Sequence, residues 1–169
     1  MVALILRLVH ILLGVFWAGA VFMIALFLQP AIAASGPEGG KVMGALVKRR
    51  LLDIVPAAAV AAILSGLWLY WRDSSGFQGE WMGSRMGMAL GTGGVLALVG
   101  FLVGMFVMRA STLKAMALGQ SAAQLTDAAA REAAMGQVQA LRRRAALAGR
   151  TVAVLLALTV LMMAVARYL

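Results

Sequence analysis

The chain holds one histidine, His10, and no cysteine. A neutral imidazole can ligate heme iron or copper, or relay protons. The lack of cysteine removes disulfides, thiolate metal sites and catalytic thiols. Gly14 and Trp17 follow His10 by four and seven residues, on the same face of a helix. Gly14 leaves space beside the imidazole and Trp17 supplies a flat wall. A porphyrin edge fits such a surface, and so does a neighbouring helix packed on small residues. Met82 and Met86 are four apart and share a helical face. Their thioethers are soft ligands for Cu(I) or for a heme axial position, or equally an apolar filler. Arg85 falls at the same outer level as His10. It is either a bidentate partner for a carboxylate such as a heme propionate or a snorkelling interface anchor. The candidate cofactor-binding residues are therefore His10, Gly14, Trp17 and Arg85, and the candidate metal ligands are His10, Met82 and Met86. The competing reading of His10 is an imidazole hydrogen-bonded to an adjacent helix.

Other chemistry is sparse. Paired catalytic carboxylates, a nucleophile–base constellation, a glycine-rich phosphate loop and a CxxCH heme attachment site are all missing from the sequence, so no catalytic residue is assigned. Asp53, just inside the inner end of an apolar run, is expected to pair with Arg49 or Arg50. Arg142, Arg143 and Arg144 form a basic run suited to anionic lipid headgroups. Gly83, Gly87 and Gly91 repeat every four residues, as do Gly100 and Gly104. This small-xxx-small spacing predicts close helix contact, with the first face set against the first span near Gly14 and Ala18.

The elements that must position these residues are membrane spans. Of the 169 residues, 63% are hydrophobic and 12% charged, with a mean hydropathy of +0.96. A soluble domain is nearer half apolar and a quarter charged. Four spans are predicted, at about 2–34, 51–71, 82–108 and 151–166. The first exceeds the roughly 7–15 apolar residues of a signal peptide. Trp68, Tyr70, Trp71 and Trp81 mark the outer interface as an aromatic belt. Residues 109–150 are rich in Ala, Gln and Arg and contain no proline, which is strong helix-forming chemistry. They are expected to extend spans three and four as a cytoplasmic helical hairpin, broken near Gly119–Ser121 and restarted by Thr126 or Asp127 as N-cap. The fold class is thus all-α: one integral membrane domain, a four-span bundle with this extension.

Fifteen Lys/Arg against six Asp/Glu give a net charge of +9. Eleven of the basic residues fall in the loop between spans one and two and in the hairpin region; Arg7, Arg72, Arg85 and Arg167 fall on the other side. The positive-inside rule makes the first side cytoplasmic and places both termini outside. With charges clustered at segment ends, the expected partners are the lipid bilayer, anionic headgroups at the cytoplasmic face, and a membrane-protein partner or a second copy of the chain. Nucleic acid is not expected.

The stretch Leu8-Val9-His10-Ile11-Leu12-Leu13-Gly14-Val15-Phe16-Trp17-Ala18-Gly19 resembles the first helix of a bacterial membrane superfamily. That superfamily includes copper resistance protein D-like domains, HemJ-type protoporphyrinogen oxidases and uncharacterised four-helix families. The shared pattern is a histidine, six residues, then Trp-x-Gly: here His10, Trp17 and Gly19. Arg49-Arg50-Leu51-Leu52, Ile54-Val55-Pro56-Ala57 and Gly66-Leu67-Trp68-Leu69 resemble the HemJ-type second helix. Gln29-Pro30-Ala31 and Gly40-Lys41-Val42-Met43-Gly44 look more like the uncharacterised relatives. The resemblance covers roughly residues 6–109. It implies an inner-membrane location and a heme b or copper ligand at His10. Arg85 falls near the position of a functional lysine on the third helix but is not lysine. The family's late first-helix histidine and its third-helix histidine are also missing, which weighs against oxidase activity. Three functions are expected: a heme- or copper-associated protein of this superfamily; a non-catalytic accessory subunit of a larger respiratory, photosynthetic or transport complex; or, by the resemblance, a protoporphyrinogen oxidase.

Overall fold

In the computed structural model, which describes residues 1–169 with the side chain at position 37 aside, the described residues are helical and form no strand. Six helices follow in order: α1 Val2–Ala34, α2 Gly36–Lys48, α3 Leu51–Asp73, the single-turn α4 Gly79–Met82, α5 Arg85–Ala122 and α6 Ala128–Val165. Four of them, α1, α3, α5 and α6, are long and apolar enough to cross a membrane. Leu12, Val15, Phe106 and Val154 are 60–70% exposed on the outside of the bundle. This is the surface expected of helices that face hydrocarbon, where apolar side chains need no cover.

α1 packs along α3, and α5 packs along α6; α3 touches α5, and α1 touches α6. The shared core holds Trp17, Val21 and Ala25 of α1, Val55 and Ala59 of α3, Ala97 of α5, and Val152 and Leu156 of α6. α6 runs unbroken through residues 140–151, as the proline-free sequence predicts. Asp127 starts it: its carboxylate accepts from the amides of Ala129 and Ala130 at 3.3 and 3.2 Å, two donors that the first turn otherwise leaves unpaired.

Two wide π turns interrupt the long helices, Ile24–Leu28 in α1 and Gly104–Arg109 in α5. The first ends at Gln29-Pro30, where proline has no N–H to return to the preceding turn. Both turns pack against α6. They converge at Gly149, where a Cβ would meet Gln29 Oε1 at 3.2 Å, Met108 Sδ at 3.6 Å and the Ala25 Cβ at 3.7 Å.

The third long helix begins at Arg85 rather than Met82. Ser84 takes an extended backbone, accepts from the Gly87 amide at 3.0 Å and donates to the Trp81 carbonyl at 2.6 Å. The chain therefore breaks between Met82 and Met86, which lie on separate helices and share no helical face. Gly83 is parted from Gly87 and Gly91 by the same break. The expected contact of that glycine face with α1 is also absent among the described residues. Gly87 instead leaves room for the backbone of Trp81 and Met82, and Gly91 faces the Tyr70 hydroxyl of α3.

Candidate functional site

His10 stands on the face of α1 that packs against α3. Its Nδ1 lies 2.7 Å from the carbonyl oxygen of Ala62. A carbonyl only accepts, so Nδ1 carries the proton and donates; in the neutral ring the acceptor lone pair is then on Nε2. The ring lies over Gly66, one turn further along α3. A Cβ at Gly66 would sit 2.6 Å from His10 Cε1 and 2.9 Å from Nδ1. The imidazole thus fills the notch that glycine leaves. Ser65 adds its hydroxyl to the same carbonyl at 3.0 Å, and to Ala61 O at 2.7 Å. Just outside, Arg7 and Asp73 approach to 4.0 Å across the same pair of helices.

The other expected cofactor residues do not gather around this ring. Trp17 is buried and packs edge-to-face on Phe101 of α5, with ring centroids 6.5 Å apart. It lines a cavity of about 60 Å³ together with Val55, Pro56, Met105 and Arg109, towards the other end of α1. Gly14 has open space where a Cβ would be. Met82 and Met86 are exposed, in α4 and at the start of α5, and Arg85 is exposed at the first position of α5. His10 makes its one described hydrogen bond to Ala62. Among the described residues, no three of His, Cys, Asp and Glu cluster.

A second polar site lies where α3 begins, and its members were not paired by spacing. Pro56 sits inside α3. Having no N–H, it leaves the carbonyl four residues earlier, that of Leu52, without its helical donor. Arg109, the last residue of the α5 π turn, supplies one. Its Nε donates to Leu52 O at 3.0 Å, and its Nη2 donates to Asp53 Oδ1 at 2.9 Å. Asp53 therefore pairs with Arg109 across the bundle and not with Arg49 or Arg50. Arg50 instead takes a left-handed backbone (φ 58°) between α2 and α3 and is exposed. Pro56 was the available signal: a mid-span proline implies a freed carbonyl one turn back, and a donor to meet it.

The same arrangement recurs. The Tyr70 hydroxyl of α3 donates to the Gly87 carbonyl of α5 at 3.1 Å, with the phenol ring edge-on to Trp81 at 5.2 Å. The Thr159 hydroxyl of α6 lies 3.2 Å from the Gly93 carbonyl of α5. His10, Tyr70, Arg109 and Thr159 thus each reach from one long helix to a backbone carbonyl of another. One polar atom is left over: Gln29 Oε1 is buried without a donor among the described residues.

No family model, curated protein or solved structure matches the chain.

The residues at His10 offer a single donor nitrogen. One side of the ring meets Gly66 and Ala62 of α3; the methionines and the arginine expected beside it are on α4 and at the start of α5.

Proposed function

We propose that the chain is a multi-pass protein of the bacterial inner membrane that serves as a non-catalytic accessory subunit of a larger membrane complex. The observation that carries this reading is the use of its intramembrane polar side chains. His10, Tyr70, Arg109 and Thr159 each join one helix to the backbone of another. Such a bundle is built to hold shape. In this reading both termini and the loop after α3 face outward, while α2 and the paired ends of α5 and α6 face the cytoplasm as a helical hairpin. A cysteine placed at Ser75 is then labelled from outside, and one at Arg143 is spared.

The experiment that tests the role is purification in mild detergent from native membranes. The expected result is migration in a larger complex, with no Soret band and no stoichiometric copper assigned to this chain. A lone chain with heme or copper that disappears in His10→Ala overturns it.

One observation favours a second reading, in which the chain belongs with the copper resistance D-like and HemJ-type bundles and His10 is a heme b or copper ligand. Donation of Nδ1–H to a backbone carbonyl is the arrangement that orients metal-ligating histidines. The remaining ligands would then come from a partner chain or a second copy.

A further inference from the structure

A groove lies away from His10, on the outside of the bundle. It measures about 540 Å³ and runs between the π-turn region of α5 and the middle of α6. Val103 and Val107 form one wall; Ala148, Leu147 and Thr151 form the other. Ala140 lies at one end, and Arg143 and Arg144 follow it one turn along α6. From Arg143 to Thr151 the helix rises roughly 12 Å. The groove is otherwise apolar: Thr151 returns its hydroxyl to the Leu147 carbonyl of its own helix at 3.1 Å.

The two arginines have no internal counter-charge. Among the described residues the ion pairs involve Arg7, Lys41, Arg72 and Arg109; Arg143 and Arg144 have no carboxylate within 4.0 Å. Arg142 belongs elsewhere, since its Nη2 is turned to Gly40 of α2. The basic run thus divides: one guanidinium faces α2, and two line an apolar trough. A free phosphate has no use for the trough, and a neutral lipid has no use for the pair of cations. A molecule with a phosphate head and a hydrocarbon tail uses both. Guanidinium forks bind phosphate oxygens in bidentate fashion, and an alkyl chain buried along Val103, Val107 and Leu147 adds the hydrophobic term.

We propose that this groove is a binding site for one anionic phospholipid, with its phosphate on Arg143 and Arg144 and an acyl chain along the α5–α6 trough. The proposal rests on the membrane reading above, though not on the accessory role. It differs from general attraction of a basic surface to a charged bilayer, because it ties affinity to two arginines and to the apolar wall beside them.

The test begins with an alkaline wash of membranes carrying the full chain. Release of the protein overturns both the membrane reading and the lipid site. If it is retained, the purified protein is unfolded thermally in neutral detergent. Three additives are compared: phosphatidylglycerol, phosphatidylcholine of the same acyl chains, and inorganic phosphate. Phosphatidylglycerol at saturation is expected to raise Tm by about 5 °C, and the other two to leave it unchanged. Arg143→Gln with Arg144→Gln removes the rise. Arg131→Gln with Arg142→Gln, an equal loss of charge outside the groove, keeps it. Leu147→Trp, which fills the trough with both arginines in place, lowers it. An equal response to both lipids, an equal loss in the two double variants, or a rise with phosphate alone overturns the site and leaves the membrane reading intact.

Discussion

The seam between α1 and α3 and the seam between α5 and α6 differ in what meets their glycines. In the first, a large ring is set into a small notch: His10 covers Gly66 and donates to the Ala62 carbonyl. Further along the seam Trp17 and Val21 of α1 share a core with Val55 and Ala59 of α3, and open space lies at Gly14. In the second, backbone meets side chain over several turns. A Cβ at Gly93 would lie 3.3 Å from Met163 Cγ and 3.4 Å from the Thr159 carbonyl oxygen; one at Gly100 would lie 3.7 Å from the Leu155 Cβ. Ala97, Val152 and Leu156 fill the space between, all buried. Lipid gives no hydrophobic push between helices, so association depends on close packing and interhelical hydrogen bonds. Each seam has one hydrogen bond from a side chain to the facing backbone, His10 to Ala62 and Thr159 to Gly93. They differ in what their glycines meet, a ring in the first and side chains with backbone in the second. Side chains added to the two seams must therefore fail differently.

Gly93→Leu is expected to have the largest effect, because no neighbour in the α5–α6 seam can move aside without the helices separating. A loss of about 3 kcal/mol, the upper end for overpacking, should appear as a lowered unfolding midpoint in detergent. Retention of the wild-type midpoint would show that the seam opens freely.

Arg109→Ala comes next. It leaves the Leu52 carbonyl and the Asp53 carboxylate without their donor, at a cost of about 2 kcal/mol. Pro56→Ala sharpens the interpretation, since alanine restores the N–H that Leu52 lacks. In that background the cost of Arg109→Ala should shrink to the exposed ion pair alone, below about 1 kcal/mol. Equal costs in both backgrounds would separate Arg109 from the proline.

Gly14→Ala should have the smallest effect. Nothing stands within 4 Å of the new methyl, and alanine is favoured over glycine in a helix by about 1 kcal/mol. A neutral or slightly raised midpoint is expected. A clear loss would mean that α1 packs more tightly at its outer end than its open face indicates.

Four apolar runs with few charges are enough to read four long helices, and the missing prolines between Asp127 and Arg167 to read α6 as continuous. Helix periodicity depends on neighbours three and four residues apart, so it is visible along the chain. Pairing between helices is not. Asp53 has basic residues three and four positions before it, yet it takes Arg109, 56 residues away, because Pro56 and the π turn of α5 bring a guanidinium to the freed carbonyl. The glycine repeat from Gly83 to Gly91 was legible as close packing and misleading as to the partner. Ser84 breaks the helix inside the repeat, and Tyr70 occupies the space that α1 was expected to fill. At His10 the residue type was legible and its surroundings were not. The ring meets Gly66, whose spacing from His10 carries no local signal.

The measurement that tests most directly whether His10 joins α1 to α3 is a double-variant cycle on His10 and Gly66, followed by thermal unfolding in detergent. Gly66→Ala in the wild type drives a methyl into the imidazole and should destabilise by about 1–3 kcal/mol. In His10→Ala the ring is gone, and the same substitution should be neutral or stabilising by up to about 1 kcal/mol. A change of sign between the two backgrounds is the predicted result. Equal effects of Gly66→Ala with and without the imidazole would contradict it, and would mean that His10 does not join α1 to α3.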